Sequence, residues 1–520
     1  MTSPYDGLDR PSERPSVATR PRHPGRTELA ALAVAGIELR GPGETTVAGM
    51  SLSSQRVLPG DLYAALPGRR AHGIDYLAEA LAAGAVAVLT DPAGASRTPA
   101  GVPLLVAAEP RHVLGEVAAR VYGHPTREIA MVGVTGTQGK TTTTRLLEAA
   151  LSGAGRRSAV VGTVGTRVAG RDLATALTTP EAPDLQGLFA LMVEERVASC
   201  AMEVSSHALV MGRVDGIVFD VAVFLNLGRD HLDFHRDLED YYLAKASLFT
   251  PDRARLGLAC VDDEHGRRLW AQAPVEMRSF SVTGRRADWM AVDLALGPNG
   301  SEFTLRGPGV ELRARCHLPG DFNVANATAA LAAGIEAGLA SPEELVAGLD
   351  RAGGVPGRLE RVDAGQDFTV VVDYAHKPDA VAAVLRTLRP LASRRLIVVL
   401  GAGGDRDTGK RPVMGEIAAR AADLLVVTDD NPRSEDPAAI RAAVLAGAAQ
   451  VPAAERATVI EHGDRRTAIE EAVGRAGPGD IVLIAGKGHE TGQEVAGVVH
   501  PFDDRVVAAQ VLREIARTGS

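Results

Sequence analysis

Residues 129–151 read IAMVGVTGTQGKTTTTRLLEAAL. An apolar run meets a glycine-rich turn, and then Leu and Ala recur at helical spacing. The pattern predicts a buried strand, a loop and a helix in immediate succession. Gly136 and Gly139 let the backbone amides curl around an anion, and the helix beginning near Lys140 adds the positive end of its dipole. Lys140 stands where an ammonium reaches β- and γ-phosphates, and the Thr141 hydroxyl is placed to ligate Mg2+. Strict P-loop spacing asks for glycine where this chain has Val134, flanked by Gly133 and Gly136. The physical requirements survive that mismatch, so the segment marks an ATP-binding α/β unit in the middle of the chain.

The same alternation extends in both directions. SAVVGTVG (158–165), VASCAMEV (197–204) and VFDVAVFLNLG (218–228) are further apolar strands separated by helical stretches, which indicates a mainly parallel sheet. Toward the C-terminus, FTVVVDYA (368–375), RLIVVLGAGG (395–404), DLLVVTDDNP (423–432) and DIVLIAGKGH (480–489) each end in a polar or glycine-rich loop. In open α/β sheets such loops, at the carboxyl ends of strands, are where ligands bind. Toward the N-terminus, GDLYAAL (60–66), ALAAGAVAVLT (80–90) and VPLLVAA (102–108) suggest a smaller α/β unit. Pro- and Gly-bearing breaks at YGHPTRE (122–128) and RAGGVPGRLE (351–360) divide the chain. The expected organisation is a leader over 1–26, an N-terminal domain over 27–127, a central P-loop domain over 128–355 and a C-terminal Rossmann-like α/β domain over 356–520. The leader carries five Pro and five Arg without apolar periodicity, so it reads as a disordered tail whose mild positive charge could meet something acidic.

Composition sets outer limits. With 520 residues, three domains are expected more readily than one. A net charge of −9 argues against a protein that coats nucleic acid. Cys200, Cys260 and Cys316 are too few for a disulfide framework and read as reduced thiols. No signal peptide or membrane-length apolar run is evident, so a cytoplasmic protein that does not insert in membranes is expected. Of 56 basic residues only five are Lys: Lys140, Lys245, Lys377, Lys410 and Lys487. All lie in Gly-, His- or Asp-rich segments. Lysine offers a compact charge and an amine that can change state, which arginine does not. That contrast marks the five as candidates for chemistry.

Beyond the phosphate loop, one strand ends in Glu203, followed by Ser205, Ser206 and His207. Another leads to Asp230, His231, Asp233 and His235. Glu and His beside a phosphate loop suggest metal ligands, whereas any single His there could equally cap a helix. Lys245, in LAKASLF, is odd in this company, because an ammonium repels Mg2+.

Taken in order, GVTGTQGKTTTT, TTP (178–180), EVSSHAL, NLGRDHLDFH, LAKASLF, LPGDFNVANATAA (318–330), VPGRLE and DYAHKPDA resemble the Mur ligases, ATP-dependent amide ligases of peptidoglycan precursor synthesis. The resembling motifs run from about residue 50 to 505. The resemblance implies that Gly136, Thr137, Gln138, Gly139, Lys140, Thr141 and Thr142 hold ATP, with Asn323 and Asn326 near the adenine. Arg358 and Asp373 are then expected to close over the nucleotide from the domain boundary. Thr141, Glu203 and His231 would hold Mg2+ with Lys245, which in this family is carbamylated by CO2 and so becomes an anionic oxygen ligand. Lys140, Glu203, His231, Lys245 and Arg358 form the implied catalytic set.

The segment MSLSSQRVLPGDLYAALPGRRAHGIDYL (50–77) resembles the family's UDP-binding domain, with Ser54 against the uridine half. Thr178, Thr179, Ser205 and Arg213 match residues that hold the muramoyl-dipeptide. Met211 and Leu177 stand where the family often has Gln and Asn, so two contacts should be missing or replaced. DNPR at 430–433 marks members that add meso-2,6-diaminopimelate rather than L-lysine. Arg433 can pair with the distal carboxylate and would repel a lysine side chain. Arg406, Asp430, Asn431, Pro432, Gly486 and Glu490 complete the implied amine site, with Glu490 taking the distal ammonium. Read alone, DNPR is a good turn sequence. The implied partners are UDP-N-acetylmuramoyl-dipeptide, diaminopimelate and ATP, acting on a monomer. The alternatives are an L-lysine-adding relative, a folylpolyglutamate synthetase-like ligase, a silent binding protein and a plain P-loop ATPase. The 50–77 segment opposes the second, and the retained Lys140, Lys245 and Glu203 oppose the third.

Overall fold

The computed structural model describes residues 19–518 except Arg69 and Ala176. Its N-terminal unit is a five-stranded sheet in the spatial order Ile37–Arg40, Leu104–Ala107, Ala87–Thr90, Asp61–Ala65, Gly49–Ser51. Only the first pair is antiparallel. Leu62, Leu89 and Leu105 on these strands are fully buried.

The central sheet has eleven strands. Its parallel heart runs through Ser158–Gly162, Ser199–Glu203, Ala130–Thr135, Phe219–Phe224, Ala254–Cys260 and Glu276–Ser281 to Trp289–Gly297. At its centre, Ser158–Gly162, Ser199–Glu203, Ala130–Thr135 and Phe219–Phe224 are almost wholly buried and therefore rich in Val and Ala, whereas Glu276–Ser281 and Trp289–Gly297 keep exposed positions. Antiparallel strands extend it at each end: Gly165–Val168 with Arg171–Leu173, and Gly300–Gly307 with Val310–Cys316. The C-terminal sheet has the order Glu360–Val362, Thr369–Asp373, Ile481–Ala485, Leu396–Leu400, Leu424–Val427, Thr458–Glu461. It too is parallel beyond its first pair.

Two features tie these units to the site. The helix Lys140–Gly153 packs on the helix Pro342–Arg351 at backbone contact, since a Cβ on Gly348 would lie 2.0 Å from the Ala150 carbonyl oxygen. The second helix leads directly into the linker that carries Arg358. Beneath the loops that follow Leu424–Val427 and Ile481–Ala485 sits a fully buried ion pair, Arg465 with Asp504, at 2.7 Å. Arg465 also donates to the carbonyls of Asp429 (3.2 Å) and Ala485 (3.0 Å), so one guanidinium anchors both loops.

The expectation of a disordered leader over 1–26 is corrected at its far end. Residues 1–18 lie outside the described residues, but Arg20 forms a bidentate pair with Asp61 at 2.9 and 2.7 Å and donates to the Met50 carbonyl at 2.9 Å. The backbone amides of Arg22 and His23 donate to Glu194 of the central unit. The acidic partner for this basic stretch lies within the chain itself, which makes residues 20–23 a strap across two units.

Candidate active site

The phosphate loop owes its shape to two left-handed glycines, Gly136 (φ 153°) and Gly139 (φ 88°). A Cβ on Gly139 would come within 2.4 Å of Asn326 Oδ1, so the turn can close on the helix Asp321–Glu336 only with glycine there. Thr137 Oγ1 lies 3.2 Å from the Tyr241 hydroxyl and accepts from the Gly228 amide, and the Gln138 amide donates to Asn226 Oδ1. Thr142 is buried. Lys140 Nζ folds back to donate to the carbonyls of Gly136 (2.7 Å) and Thr137 (3.1 Å). Burial lowers its pKa to about 8 even though Glu203 opposes the shift.

Lys245 Nζ donates to the same Gly136 oxygen at 2.9 Å and stands 4.5 Å from the centre of the Tyr241 ring. Lys245 is 1% exposed. Burial, with Lys140 adding repulsion, holds its pKa well below the usual lysine range. Glu203 ends its strand with both oxygens engaged: Oε1 accepts from Thr141 Oγ1 (2.9 Å) and the Thr163 amide (2.7 Å), and Oε2 from Thr163 Oγ1 (3.1 Å). Arg358 crosses from the linker to donate to Thr141 Oγ1 at 3.2 Å, with its guanidinium over the Tyr374 ring. Its Nε is buried without a partner. Lys140, Thr141, Glu203, Lys245 and Arg358 therefore converge.

His231 lies on a neighbouring loop where its backbone is left-handed (φ 53°), with Nε2 3.3 Å from Asp230 Oδ2, its ring edge-on to His207 and 6.1 Å from the Tyr241 ring. Burial, partly offset by Asp230, holds its pKa below the usual imidazole range, which favours the neutral ring with a lone pair to give. Asp230 pairs with Lys377 across the boundary between the central and C-terminal units, and Lys410 Nζ donates to the neighbouring His376 carbonyl at 2.9 Å. Neither lysine was given a role from sequence.

Asn323 and Asn326 are buried beside the phosphate loop and mostly serve the protein. Asn323 Nδ2 donates to the Pro319 carbonyl, while Asn326 bridges Asn323 and Thr143. The Asp373 carboxylate accepts from the Leu359 (2.7 Å) and Ala375 (2.8 Å) amides. It thereby holds the turn that presents Arg358.

Of the residues assigned to the nucleotide-peptide, Ser54 lies in the N-terminal unit and donates to Glu79 at 2.7 Å. The others form a chain leading back to Glu203. Thr178 Oγ1 is 3.0 Å from Thr163 Oγ1, Thr179 Oγ1 donates to the Glu203 carbonyl at 2.8 Å, and the Ser205 amide donates to Thr179 Oγ1. Arg213 is buried, donating to Glu181 (2.9 Å) and the Thr179 carbonyl (3.2 Å). Met211 turns its sulfur to within 3.5 Å of Arg213 Nη2.

A cleft of about 410 Å³ opens between the central and C-terminal units. Thr163, Val164 and Gly165 line one wall, and Asn431, Arg433, His489 and Glu490 line the other. Asn431 Nδ2 donates to Glu490 Oε2 at 2.8 Å, and Arg433 Nη1 to the Gly404 carbonyl at 2.6 Å. Arg433 is left-handed (φ 52°); its amide donates to the Glu494 carbonyl on the strand Gly492–Val495, and its carbonyl accepts from the Ala496 amide. The turn forms two residues later than DNPR suggests, with the Pro432 carbonyl accepting from the Glu435 amide. Asp430 Oδ2 is buried without a partner, and a Cβ on Gly486 would come within 2.3 Å of it. Arg406 is exposed and does not line the cleft.

Sequence reasoning also missed Thr163, which binds Glu203 on one side and edges the cleft on the other. It marked Lys487 as a candidate but gave it no role; Lys487 is a buried ammonium between Asn431 and Glu490. The scarcity of lysine was the available signal for the second; nothing local marked the first.

Three family descriptions match this chain: the Mur ligase family catalytic domain over residues 46–122, the Mur ligase middle domain over 134–334 and the Mur ligase glutamate ligase domain over 357–488. The UDP-N-acetylmuramoyl-L-alanyl-D-glutamate–2,6-diaminopimelate ligase of Streptomyces avermitilis is 53% identical over 498 residues, covering 95% of this chain and 98% of its own. That of Corynebacterium glutamicum is 48% identical, covering 92% and 94%. A solved structure of a ligase with the same name superimposes with a TM-score of 0.68 at 34% identity, covering 95% of this chain and all of its own. The motifs, the three-sheet architecture and these likenesses agree, and the chain belongs to the Mur ligase family.

Proposed function

We propose that this chain joins meso-2,6-diaminopimelate to UDP-N-acetylmuramoyl-L-alanyl-D-glutamate, consuming ATP and releasing ADP and phosphate. One observation carries the reading: a cleft bearing Asn431, Arg433 and Glu490 opens against Thr163, which itself binds Glu203 beside Thr141 and Arg358. The place for an amine thus adjoins the place for a phosphorylated acid.

A carboxylate is a poor acyl donor because oxide must leave. Transfer of the γ-phosphoryl group to it gives an acyl phosphate, from which phosphate leaves when the amine attacks. Lys140, the loop amides and Arg358 offset the charge that spreads over the phosphoryl oxygens. Arg358, whose Nε has no partner among the described residues, is suited to a phosphate oxygen. Enclosure by three units keeps water from the acyl phosphate.

The donor chemistry fits Mg2+ through the Thr141 hydroxyl, the Glu203 carboxylate, the neutral His231 imidazole and Lys245 as a carbamate. As an ammonium, Lys245 does not fit. It is buried, it shares one carbonyl with Lys140, and among the described residues it has no carboxylate partner. The ammonium first gives up one proton; the free amine then adds to CO2, forming an N–C bond while a C–O π pair moves to oxygen, and loses a second proton, so that an anionic carbamate whose oxygens would suit Mg2+ replaces the repelling cation. When bound, Mg2+ neutralises phosphate charge and orients the reacting group. Thr178, Thr179, Ser205 and Arg213 position the muramoyl-dipeptide, and Ser54 the uridine half. The reaction is assigned to a cytoplasmic monomer; among the described residues no helix is long and apolar enough to cross a membrane.

Phosphate release with Mg-ATP and the nucleotide-dipeptide tests this, comparing diaminopimelate, L-lysine and no amine. Release with diaminopimelate alone, and a product heavier by one diaminopimelate residue, is expected. Release with lysine would make 430–433 only a loop, and release without amine would indicate a hydrolase.

A further inference from the structure

Lys487 is fully buried, and its Nζ donates to Asn431 Oδ1 at 3.0 Å and Glu490 Oε2 at 3.2 Å. Asn431 Nδ2 donates to the same Glu490 oxygen, and Asn431 Oδ1 also accepts from the Glu494 amide at 3.0 Å. One ammonium therefore ties the 430–433 loop to the 486–490 loop and leaves the Asn431 amide no freedom to rotate. It also changes what Glu490 offers the cleft. A free carboxylate there would attract any ammonium, including the terminal one of lysine. A carboxylate already sharing a cation attracts it less, and the distal carboxylate of diaminopimelate, facing Arg433, becomes the decisive group. An arginine fork could not stand in for this compact charge in a fully enclosed space.

We propose that Lys487 is a positioning residue that sets acceptor selectivity, by orienting Asn431 and Glu490 and by withholding from Glu490 the free charge a lysine substrate would need. The inference rests on the reading of this cleft as the diaminopimelate site.

The test measures wild type, Lys487→Met and Lys487→Gln with diaminopimelate and with L-lysine at saturating Mg-ATP. In both variants the diaminopimelate KM should rise on the order of 10-fold, the value lost with one hydrogen bond to a charged group, while the KM for ATP stays unchanged. The ratio of kcat/KM for diaminopimelate over lysine should fall by more than that, because lysine gains. Adding Glu490→Gln to Lys487→Met should restore the discrimination but not the affinity. An unchanged ratio in a folded variant overturns the proposal, as does an equal loss for both amines and ATP. Should Lys487→Met not fold, Lys487→Gln, which keeps a hydrogen bond to Asn431 without the charge, decides alone. A wild type indifferent to diaminopimelate would instead sink the reading of the cleft.

Discussion

Arg465 and Lys245 are both cations removed from water, each 1% exposed, and their surroundings are opposite. Arg465 has two bonds to Asp504 and two carbonyls, so its planar fork is satisfied and its charge is cancelled in place. Lys245 has one carbonyl, and another ammonium donates to that same oxygen. A buried charge is tolerable when paired and hydrogen-bonded, and costly otherwise. The first arrangement builds a floor beneath two loops. The second leaves a site unfinished until an anion, or a change in the amine itself, completes it.

That contrast can be broken by substitution. Lys245→Ala should lower turnover by at least roughly 100-fold, the scale of losing one preorganised electrostatic group. Added bicarbonate should not restore it, and the unfolding midpoint should hold or rise because an uncompensated cation is gone. Wild-type turnover in that variant would remove the carbamate from the mechanism. Arg465→Met should do the reverse. By stranding Asp504 it should cost about 3–5 kcal/mol in denaturant unfolding of the C-terminal unit, and adding Asp504→Leu should recover most of that. Equal stability of Arg465→Met and wild type would erase the distinction.

Arg433→Ala probes a cation of intermediate burial. We expect kcat/KM for diaminopimelate to fall roughly 30-fold, about 2 kcal/mol, with the KM for ATP little changed. Equal effects on both substrates would end its role in recognition. The smallest effect is expected at Arg20, because its buried partner Asp61 keeps the Leu58 amide as a second donor. Arg20→Ala should cost about 1–2 kcal/mol, seen as faster amide exchange around residues 20–26 and 49–61 with turnover retained. Unchanged exchange would mean the strap is held by Glu194 alone.

The two halves of the site were not equally legible in the sequence. The phosphate loop lies within one strand, turn and helix, so its residues announce each other at short range. The parallel strands at the centre of each large sheet were visible as apolar runs, whereas Ala254–Cys260 and Glu276–Ser281 were not read as strands. The strands Trp289–Gly297, Gly300–Gly307 and Val310–Cys316 were not, because their outer faces are polar and the alternation is interrupted by a register shift between Val292 and Ala295. Lys377 gave no local sign of Asp230, 147 residues away, and Lys487 none of Asn431, 56 residues away, although its other partner, Glu490, lies only three residues on. Thr163 looked like any strand-end threonine until folding set Glu203 on one side of it and the cleft on the other. Only the lysine count hinted that such partners existed.

That count has a practical consequence. None of the five lysines is exposed: Lys245 and Lys487 are buried and the other three are half-buried among the loops of the site. A lysine-specific endoproteinase therefore finds its substrate bonds only when the protein opens, while an arginine-specific one finds them over the whole surface. Cleavage after lysine becomes a clock for opening of the site, readable on a gel without any label.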